Sequence, residues 1–97
     1  MEDLKQKLAN EVDQADWDML RVHHQNHAVY LVLEDLLLLD VAVAIAQDKV
    51  NFVKIWLDNQ QLRRPTDKEV QDYEKNKFAK NFDFIILQPY VLIKKIK

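Results

Sequence analysis

The 97-residue sequence contains no cysteine, no glycine and no serine, and Thr66 is its only threonine. Without cysteine there can be no disulfide framework, thiol nucleophile or thiolate metal site, and the combined absence of serine and cysteine excludes the usual nucleophilic triads. Without glycine the chain lacks the residue on which phosphate-binding loops and dinucleotide fingerprints depend for close approach of the backbone. Several large classes of enzyme are thereby excluded.

The lack of glycine also affects the turns. A turn that requires a positive φ must be made by another residue, and asparagine and aspartate tolerate that conformation best. Four asparagines are the candidates for this role: Asn26, Asn59, Asn76 and Asn81.

Long hydrophobic segments are absent as well. The longest apolar run is far shorter than the ~20 residues that a transmembrane helix needs. The N-terminal stretch MEDLKQKLANEVD is acidic and amphipathic, which is not the pattern of a secretory signal. With 48% hydrophobic and 31% charged residues, the composition is that of an ordinary globular protein. We therefore expect one cytoplasmic domain spanning residues 1–97, with no membrane partner.

Charge is spread unevenly along the chain. Residues 1–48 carry 3 Lys or Arg and 10 Asp or Glu, a balance of −7, whereas residues 49–97 carry 11 and 6, a balance of +5. The simpler interpretation is that the two halves face one another or lie on separate solvated surfaces. The alternative is a polar molecule whose acidic and basic faces promote self-association or the binding of a charged partner.

The most apolar region is LLLLDVAVAIAQDKVNFVKIWL, residues 36–57. Its first part, residues 36–47, would be apolar around nearly the whole circumference of a helix, which predicts a buried helix. The alternation of alanine with valine or isoleucine in residues 41–46 also fits a strand, but the length and the alanine content favour the helix.

A second helix is expected after Asp48, which is placed to serve as its N-cap. Little of this helix is polar, so we expect part of it to meet another element or another chain. Its apolar residues are Val50, Phe52, Val53, Ile55, Trp56 and Leu57.

Other elements follow from local patterns. Apolar residues at three- and four-residue steps predict helices at about 3–12 and 16–26, with Asp13 or Asp16 capping the restart. AVYLVL, residues 28–33, is typical of a strand that is apolar on both faces.

The C-terminal part predicts an edge strand, a helix and further strands. Thr66 and Glu69 form a capping box that opens a helix to about Lys75. Residues 82–93 are strongly β-prone, and Pro89 predicts either one bent strand or two strands with the proline at an edge or bulge. The expected fold is α+β, with four to five helices packed on a small, mostly antiparallel sheet. Its strands are expected at about 28–33, 61–64 and 82–95, and the helices around residues 40 and 53 should cover them.

Several segments together resemble a known family. They are ADWDML near the start, DVAVAIAQDKVNFVKIWL in the centre with the following Leu62 and Pro65, and QPYVLI near the end. In these segments the chain is similar to small bacterial proteins known as domain of unknown function 2288. The resemblance implies a single bacterial cytoplasmic domain, and it brings no established activity, cofactor or catalytic residue.

His23, His24 and His27 form an H-H-x-x-H cluster. Two imidazoles one helical turn apart can bind a metal ion, with Asp16 or Glu34 as a third ligand. No glutamate lies between the histidines, and three histidines also suit the last turn of a helix, where they favour the negative end of the dipole. We favour the latter interpretation and predict no metal and no cofactor.

Four acidic residues bracket the first central helix: Glu34, Asp35, Asp40 and Asp48. A general acid and base could be drawn from them, but nothing in the sequence fixes a pair on one face. Helix caps and solvated turns explain all four, so we predict that the protein is not an enzyme.

One functional hypothesis is a winged helix-turn-helix protein that binds nucleic acid. Lys49, Asn51 and Lys54 would then face the groove, and Arg63 and Arg64 would contact the backbone. The recognition helix would be the one after Asp48, and its many apolar residues leave too little polar surface to contact a groove. The sequence pI near 5.9 also weighs against this alternative, because affinity for nucleic acid comes largely from phosphate neutralisation.

The hypothesis we favour is a non-enzymatic interaction module. The sequence has more apolar surface than one small core easily buries. In a homo-oligomer, the same apolar patch on two copies of the chain would be buried in one contact. A protein partner not identified by the sequence would cover it equally well. The residues we expect at the interface are Phe52, Ile55, Trp56 and Tyr90. The alternative is that they belong to the core, and for Trp56 the core is the favoured position.

Overall fold

A mixed sheet lies between two layers of helices in the computed structural model, which describes residues 3–33 and 35–96. In these ranges the helices and strands alternate along most of the chain. The helices are α1 (Leu4–Glu11), α2 (Trp17–Gln25), α3 (Leu38–Ala46), α4 (Val50–Asp58) and α5 (Asp67–Lys75). The strands are β1 (Asp13–Ala15), β2 (Val29–Val32), β3 (Leu62–Arg63), β4 (Phe82–Leu87) and β5 (Tyr90–Lys95).

The five strands are ordered β1-β4-β5-β2-β3. Every neighbouring pair is antiparallel except β2 and β5, which run parallel with Val29 opposite Val91. The α+β prediction with a mostly antiparallel sheet is therefore confirmed. Strand β1 was not predicted, because three residues are too few to show an alternating pattern.

The β-prone segment forms two strands joined in a hairpin. Of the two alternatives stated for Pro89, two strands rather than one bent strand is therefore correct. Strands β4 and β5 pair from Phe82 opposite Lys95 to Leu87 opposite Tyr90. Pro89 follows a cis peptide bond in the turn between them. A proline in the turn removes no donor from the ladder.

Local capping signals set several helix ends. An Asp16 carboxylate oxygen accepts from the backbone N–H of Met19 at 2.9 Å, so α2 restarts where a cap was expected. The predicted capping box is present: the backbone N–H of Thr66 donates to Glu69 at 2.9 Å, and that of Glu69 donates to the Thr66 hydroxyl at 3.2 Å. Residues 38–46 are helical, as the length and alanine content predicted.

Three helices end in Schellman motifs whose left-handed residue is not glycine. The left-handed residues are His27 (φ 60°), Asp48 (φ 54°) and Gln60 (φ 58°). At the end of α4, for example, the N–H of Gln61 donates to the carbonyl of Trp56, and that of Gln60 donates to Leu57. These are the two hydrogen bonds that define the motif.

Two predictions about these turns are wrong. Asp48 is the left-handed residue after α3 rather than the N-cap of α4, which is Lys49. The asparagines named as positive-φ residues have negative φ where a cap angle is defined: −85° at Asn26, −86° at Asn59 and −126° at Asn76. Asn81 has no positive φ either. The left-handed position falls one residue after Asn26 and Asn59, because the hydrogen bonds of the motif fix it relative to the helix end.

Two hydrophobic clusters fill the two faces of the sheet. One contains Leu8, Val41, Leu62, Ile85 and Leu92 and lies under α1, α3 and α4. The other contains Trp17, Leu20, Phe82, Val91 and Ile93 and lies under α2 and α5. Neighbouring residues of one strand belong to opposite clusters, because successive side chains point to opposite faces of a sheet. Helices therefore cover both faces, not only the face of the two central helices.

Candidate interaction surface on α4

Helix α4 is the most exposed apolar element of the described chain. None of its residues is buried, although it contacts α3 and β3. Val53 and Trp56 are half-buried against the cluster beneath it. The other large apolar side chains are exposed: Val50 by 68%, Phe52 by 53%, Ile55 by 52% and Leu57 by 42%.

The exposed apolar residues lie on two flanks of α4. At 100° per residue, Phe52 and Ile55 lie on one side of the inward-facing pair, and Val50 and Leu57 lie on the other. The strip between these flanks, away from the core, is polar and consists of Asn51, Lys54 and Asp58. Exposed apolar side chains therefore lie along both sides of α4, next to the line where the helix packs on the rest of the domain.

An open cleft of about 240 Å³ lies beside α4. Val50 and Leu57 line one wall, and Tyr30, Tyr90 and Leu92 of the parallel strands β2 and β5 line the other. The rings of Tyr30 and Tyr90 meet edge to face, with centroids 5.7 Å apart. This contact positions Tyr90, which is 42% exposed, at the mouth of the cleft.

The predicted interface residues lie on the same side of the sheet but not in a single cluster. Phe52 and Ile55 are exposed on one flank of α4, and Tyr90 lies across the cleft from the other flank. Trp56 is half-buried, and its ring centroid lies 6.2 Å from that of Phe52. Helical periodicity places Val50 and Leu57 on one face with Val53 and Trp56, yet both are exposed, because they border the open cleft beside α4.

We define the α4 surface as Val50, Phe52, Ile55, Leu57 and Tyr90. Half-exposed side chains of this size present roughly 100 Å² each, so together they offer on the order of 500 Å². A standard interface buries about 800 Å² on each partner, of which about 60% is apolar. The α4 surface therefore supplies about the apolar area that one such interface requires.

The residues proposed for nucleic-acid contact lie on different faces. Asn51 and Lys54 are on the outer strip of α4, and Lys49 lies 6.0 Å from the Phe52 ring centroid. Leu62 of β3 points towards α4, so Arg63 points to the opposite face. The structure does not bring the two groups together.

Arg63 is also held by Glu69. Its guanidinium donates two hydrogen bonds to that carboxylate, at 2.6 and 3.0 Å. The hydrogen bond from Arg63 is the main cause that lowers the pKa of Glu69 to about 2, with a further contribution from the Thr66 backbone. The same contact raises the pKa of Arg63. The charge of Arg63 is thus compensated within the domain.

The three histidines are not arranged as the metal hypothesis requires. His27 lies outside α2 in the left-handed conformation, so it does not share a helical face with His23. The Nδ1 atoms of His24 and His27 both approach Arg64. In the described ranges, no group of three or more potential ligands is assembled for a metal ion. Glu34, one of the candidate third ligands, is outside these ranges.

The acidic residues proposed as a general acid and base are also separated. Asp40 lies in the first turn of α3, 3.6 Å from Lys5, and Asp48 follows the last turn of the same helix. A separation of eight residues in a helix corresponds to about 12 Å. Asp35 is exposed, and Glu34 is not among the described residues.

The comparisons with known proteins agree with this architecture. The family described as "Protein of unknown function (DUF2288)" matches residues 3–95. The chain belongs to this family. The resemblance inferred from the sequence is confirmed, and it still assigns no activity.

A solved structure has a similar fold. It is the NMR solution structure of PA1075 from Pseudomonas aeruginosa, with a TM-score of 0.78 and 25% sequence identity. The alignment covers 92% of this chain and 81% of that one. No curated protein matches the sequence. Among the residues that the structure describes, no helix is both long and apolar enough to cross a bilayer.

Proposed function

We propose that this protein is a non-enzymatic interaction module of the bacterial cytoplasm that self-associates through the α4 surface. The observation that carries the proposal is the exposure of Val50, Phe52, Ile55 and Leu57 on a helix with no buried residue. The largest apolar patch on a typical monomer covers about 300–600 Å² and is often functional. The α4 surface has this total area, divided between the two flanks of the helix. The proposed occupant of the surface is a second copy of this chain.

The apolar area supports a second copy. A two-fold interface uses the same patch on both subunits, so a single contact would cover both α4 surfaces. The area of roughly 500 Å² per copy matches the apolar part of a standard interface.

The charges around the α4 surface also permit self-association. Asp48 and Lys49 lie at its N-terminal end, and Lys54 and Asp58 lie on the outer strip of the helix. These four charges sum to zero, so two copies placed face to face have no net repulsion at the border of the patch.

The test is a double substitution, Phe52→Asp with Ile55→Asp. Two charges placed in an apolar interface should raise the dimer dissociation constant by roughly 100-fold or more, measured by sedimentation equilibrium. Because both side chains are half-exposed, the variant should keep the circular dichroism spectrum of the folded domain.

The chain offers a matched control on the opposite side of the sheet. Met19 and Val22 of α2 have the same three-residue spacing, and their exposures of 54% and 58% are similar to those of Phe52 and Ile55. Met19→Asp with Val22→Asp should leave the dissociation constant unchanged. The proposal is wrong if the α4 variant remains dimeric, or if both double variants weaken association equally.

Chemical crosslinking gives an independent test. Because the chain has no cysteine, Ile55→Cys introduces a single reactive thiol in the α4 surface. A short bismaleimide should crosslink this variant to a covalent dimer at low protein concentration. Val22→Cys, on the other face, should not crosslink.

A further inference from the structure

Arg64, in the segment between β3 and α5, contacts the C-terminal end of α2. Its guanidinium donates to the backbone carbonyl of His24 at 3.1 Å and to Nδ1 of His27 at 2.5 Å, and it lies 3.4 Å from Nδ1 of His24. Its Nε is buried without a hydrogen-bond partner. Within residues 3–33 and 35–96, the ion pairs within 4.0 Å include none to Arg64. The contacts of this cation are therefore a carbonyl and two imidazoles.

The hydrogen bond from Arg64 to His27 determines which ring nitrogen of His27 carries no proton. An arginine side chain has only donors, so Nδ1 of His27 must accept and must be unprotonated. The Schellman motif fixes the backbone of His27 at φ 60° through the N–H groups of His27 and Ala28. The backbone of His27 is thus held where its ring can contact Arg64, and a second proton on the ring would remove the acceptor.

The surroundings contain few charges that could compensate a protonated histidine. The pKa of His24 is lowered, chiefly by burial and then by Arg64 and His27, while Asp67 of α5 opposes the change. The other two α5 carboxylates that face α2 and β3 are engaged, Glu74 by Arg21 and Glu69 by Arg63. Strand β2, which packs under α2, has no charged residue. His23 is the remaining titratable group of this turn.

We propose that the contact of Arg64 with His24 and His27 is a pH-sensitive latch, which holds the β3–α5 segment on the end of α2 at neutral pH and releases it when the histidines are protonated. Histidine takes up its proton between pH 5 and 8. A protonated His27 places two cations at hydrogen-bond distance, so the contact changes from attractive to repulsive. Helix α5 has no buried residue. It is held by the partly buried Val70 and Tyr73, which pack against the cluster that also contains Trp17, and by its polar contacts.

The two other polar contacts of α5 do not respond in this range. Arg63 lowers the pKa of Glu69 to about 2. The hydrogen bond from Arg21 is the main cause that lowers the pKa of Glu74. Both carboxylates stay ionised in mild acid. A change in the opening of α5 between about pH 7.5 and pH 5.5 therefore reports on the histidines.

The experiment is amide hydrogen exchange by mass spectrometry on the full chain at these two pH values, with each rate divided by its intrinsic rate. We expect the opening of residues 67–75 to increase about ten-fold at the lower pH, the loss expected for one hydrogen bond to a charged group. His24→Gln with His27→Gln should abolish the change. Glutamine suits position 27 because Gln60 adopts the same backbone conformation.

His23→Gln is the matched control, and it should keep the ten-fold change. The latch is refuted if exchange in the wild-type protein does not depend on pH, or if the double glutamine variant shows the wild-type dependence. Should that variant not fold, Arg64→Met provides the same test. It should show the faster exchange at both pH values, and a retained pH dependence in Arg64→Met would overturn the proposal.

Discussion

Replacing Glu69 with glutamine removes the charge that holds β3 to α5 while keeping the size of the side chain. Glu69 accepts two hydrogen bonds from Arg63 and one from the backbone of Thr66. The amide of glutamine can still accept from Thr66, but it cannot accept both hydrogen bonds from the guanidinium. The variant therefore tests the ion pair rather than the helix cap.

The magnitude follows from the pKa of Glu69. A fall from the ordinary 4.5 to about 2 corresponds to roughly 3 kcal/mol of preference for the charged form. The side chain is 28% exposed, and solvent screening reduces this value. Hydrogen bonds to charged groups contribute about 1.5–3 kcal/mol, so we expect Glu69→Gln to lower the free energy of unfolding by about 2 kcal/mol at pH 7.

The effect must also depend on pH in a defined direction. Between pH 4.5 and about 2 the unfolded chain binds a proton at Glu69 that the folded protein does not, so stability rises with pH in this window. The contribution is complete above the unfolded pKa and disappears as the pH falls towards 2. The difference between wild type and Glu69→Gln should shrink from about 2 kcal/mol to near zero over the same window.

The assay is urea unfolding at one fixed protein concentration, because self-association makes apparent stability depend on concentration. A double-mutant cycle with Arg63→Met should give a coupling energy of about 1.5–2 kcal/mol. A loss below about 0.5 kcal/mol, the value of an ordinary surface pair, or a difference that persists at pH 2 would refute the reasoning.

Two further substitutions test other parts of the fold by the same unfolding assay. Trp17→Phe removes the indole N–H that donates to Glu74 at 3.1 Å and leaves space in a buried site. We expect the free energy of unfolding to fall by about 2 kcal/mol. A fall below about 0.5 kcal/mol would contradict the contact. Gln60→Gly relieves a left-handed residue at φ 58° and should stabilise the domain by about 0.5–1 kcal/mol. Asn59→Gly, one residue earlier at φ −86°, should destabilise it, and a gain there would show that the φ argument is wrong.

Features encoded by a few neighbouring residues could be predicted from the sequence. The capping box of Thr66 and Glu69 and the cap at Asp16 depend only on spacing, and both are present. The helix at residues 38–46 was predicted against a competing strand pattern, because length and alanine content outweigh alternation. The surplus of apolar surface was predicted from the two central helices and the strand at 28–33 together, and four large apolar side chains of α4 are exposed.

Features that depend on distant residues could not be predicted. Arg64 and His27 are far apart in sequence, and only the packing of β3 beside β2 brings them together. Strand β1 exists because β4 offers it a partner, not because of its own composition. The left-handed residues follow from helix ends, and in this chain without glycine His27, Asp48 and Gln60 occupy that position. Of the α4 surface, Val50 and Leu57 were missed because periodicity gives the direction of a side chain but does not show that an open cleft lies beside it.

The most direct test of self-association is the solution mass of the wild-type protein as a function of concentration, by light scattering, repeated with duplex DNA. We predict a species of twice the monomer mass, dissociating only on dilution and unaffected by DNA at moderate salt. A protein that stays monomeric at all concentrations, and whose mass rises only when DNA is added, would contradict the assignment of the α4 surface to a second copy of the chain.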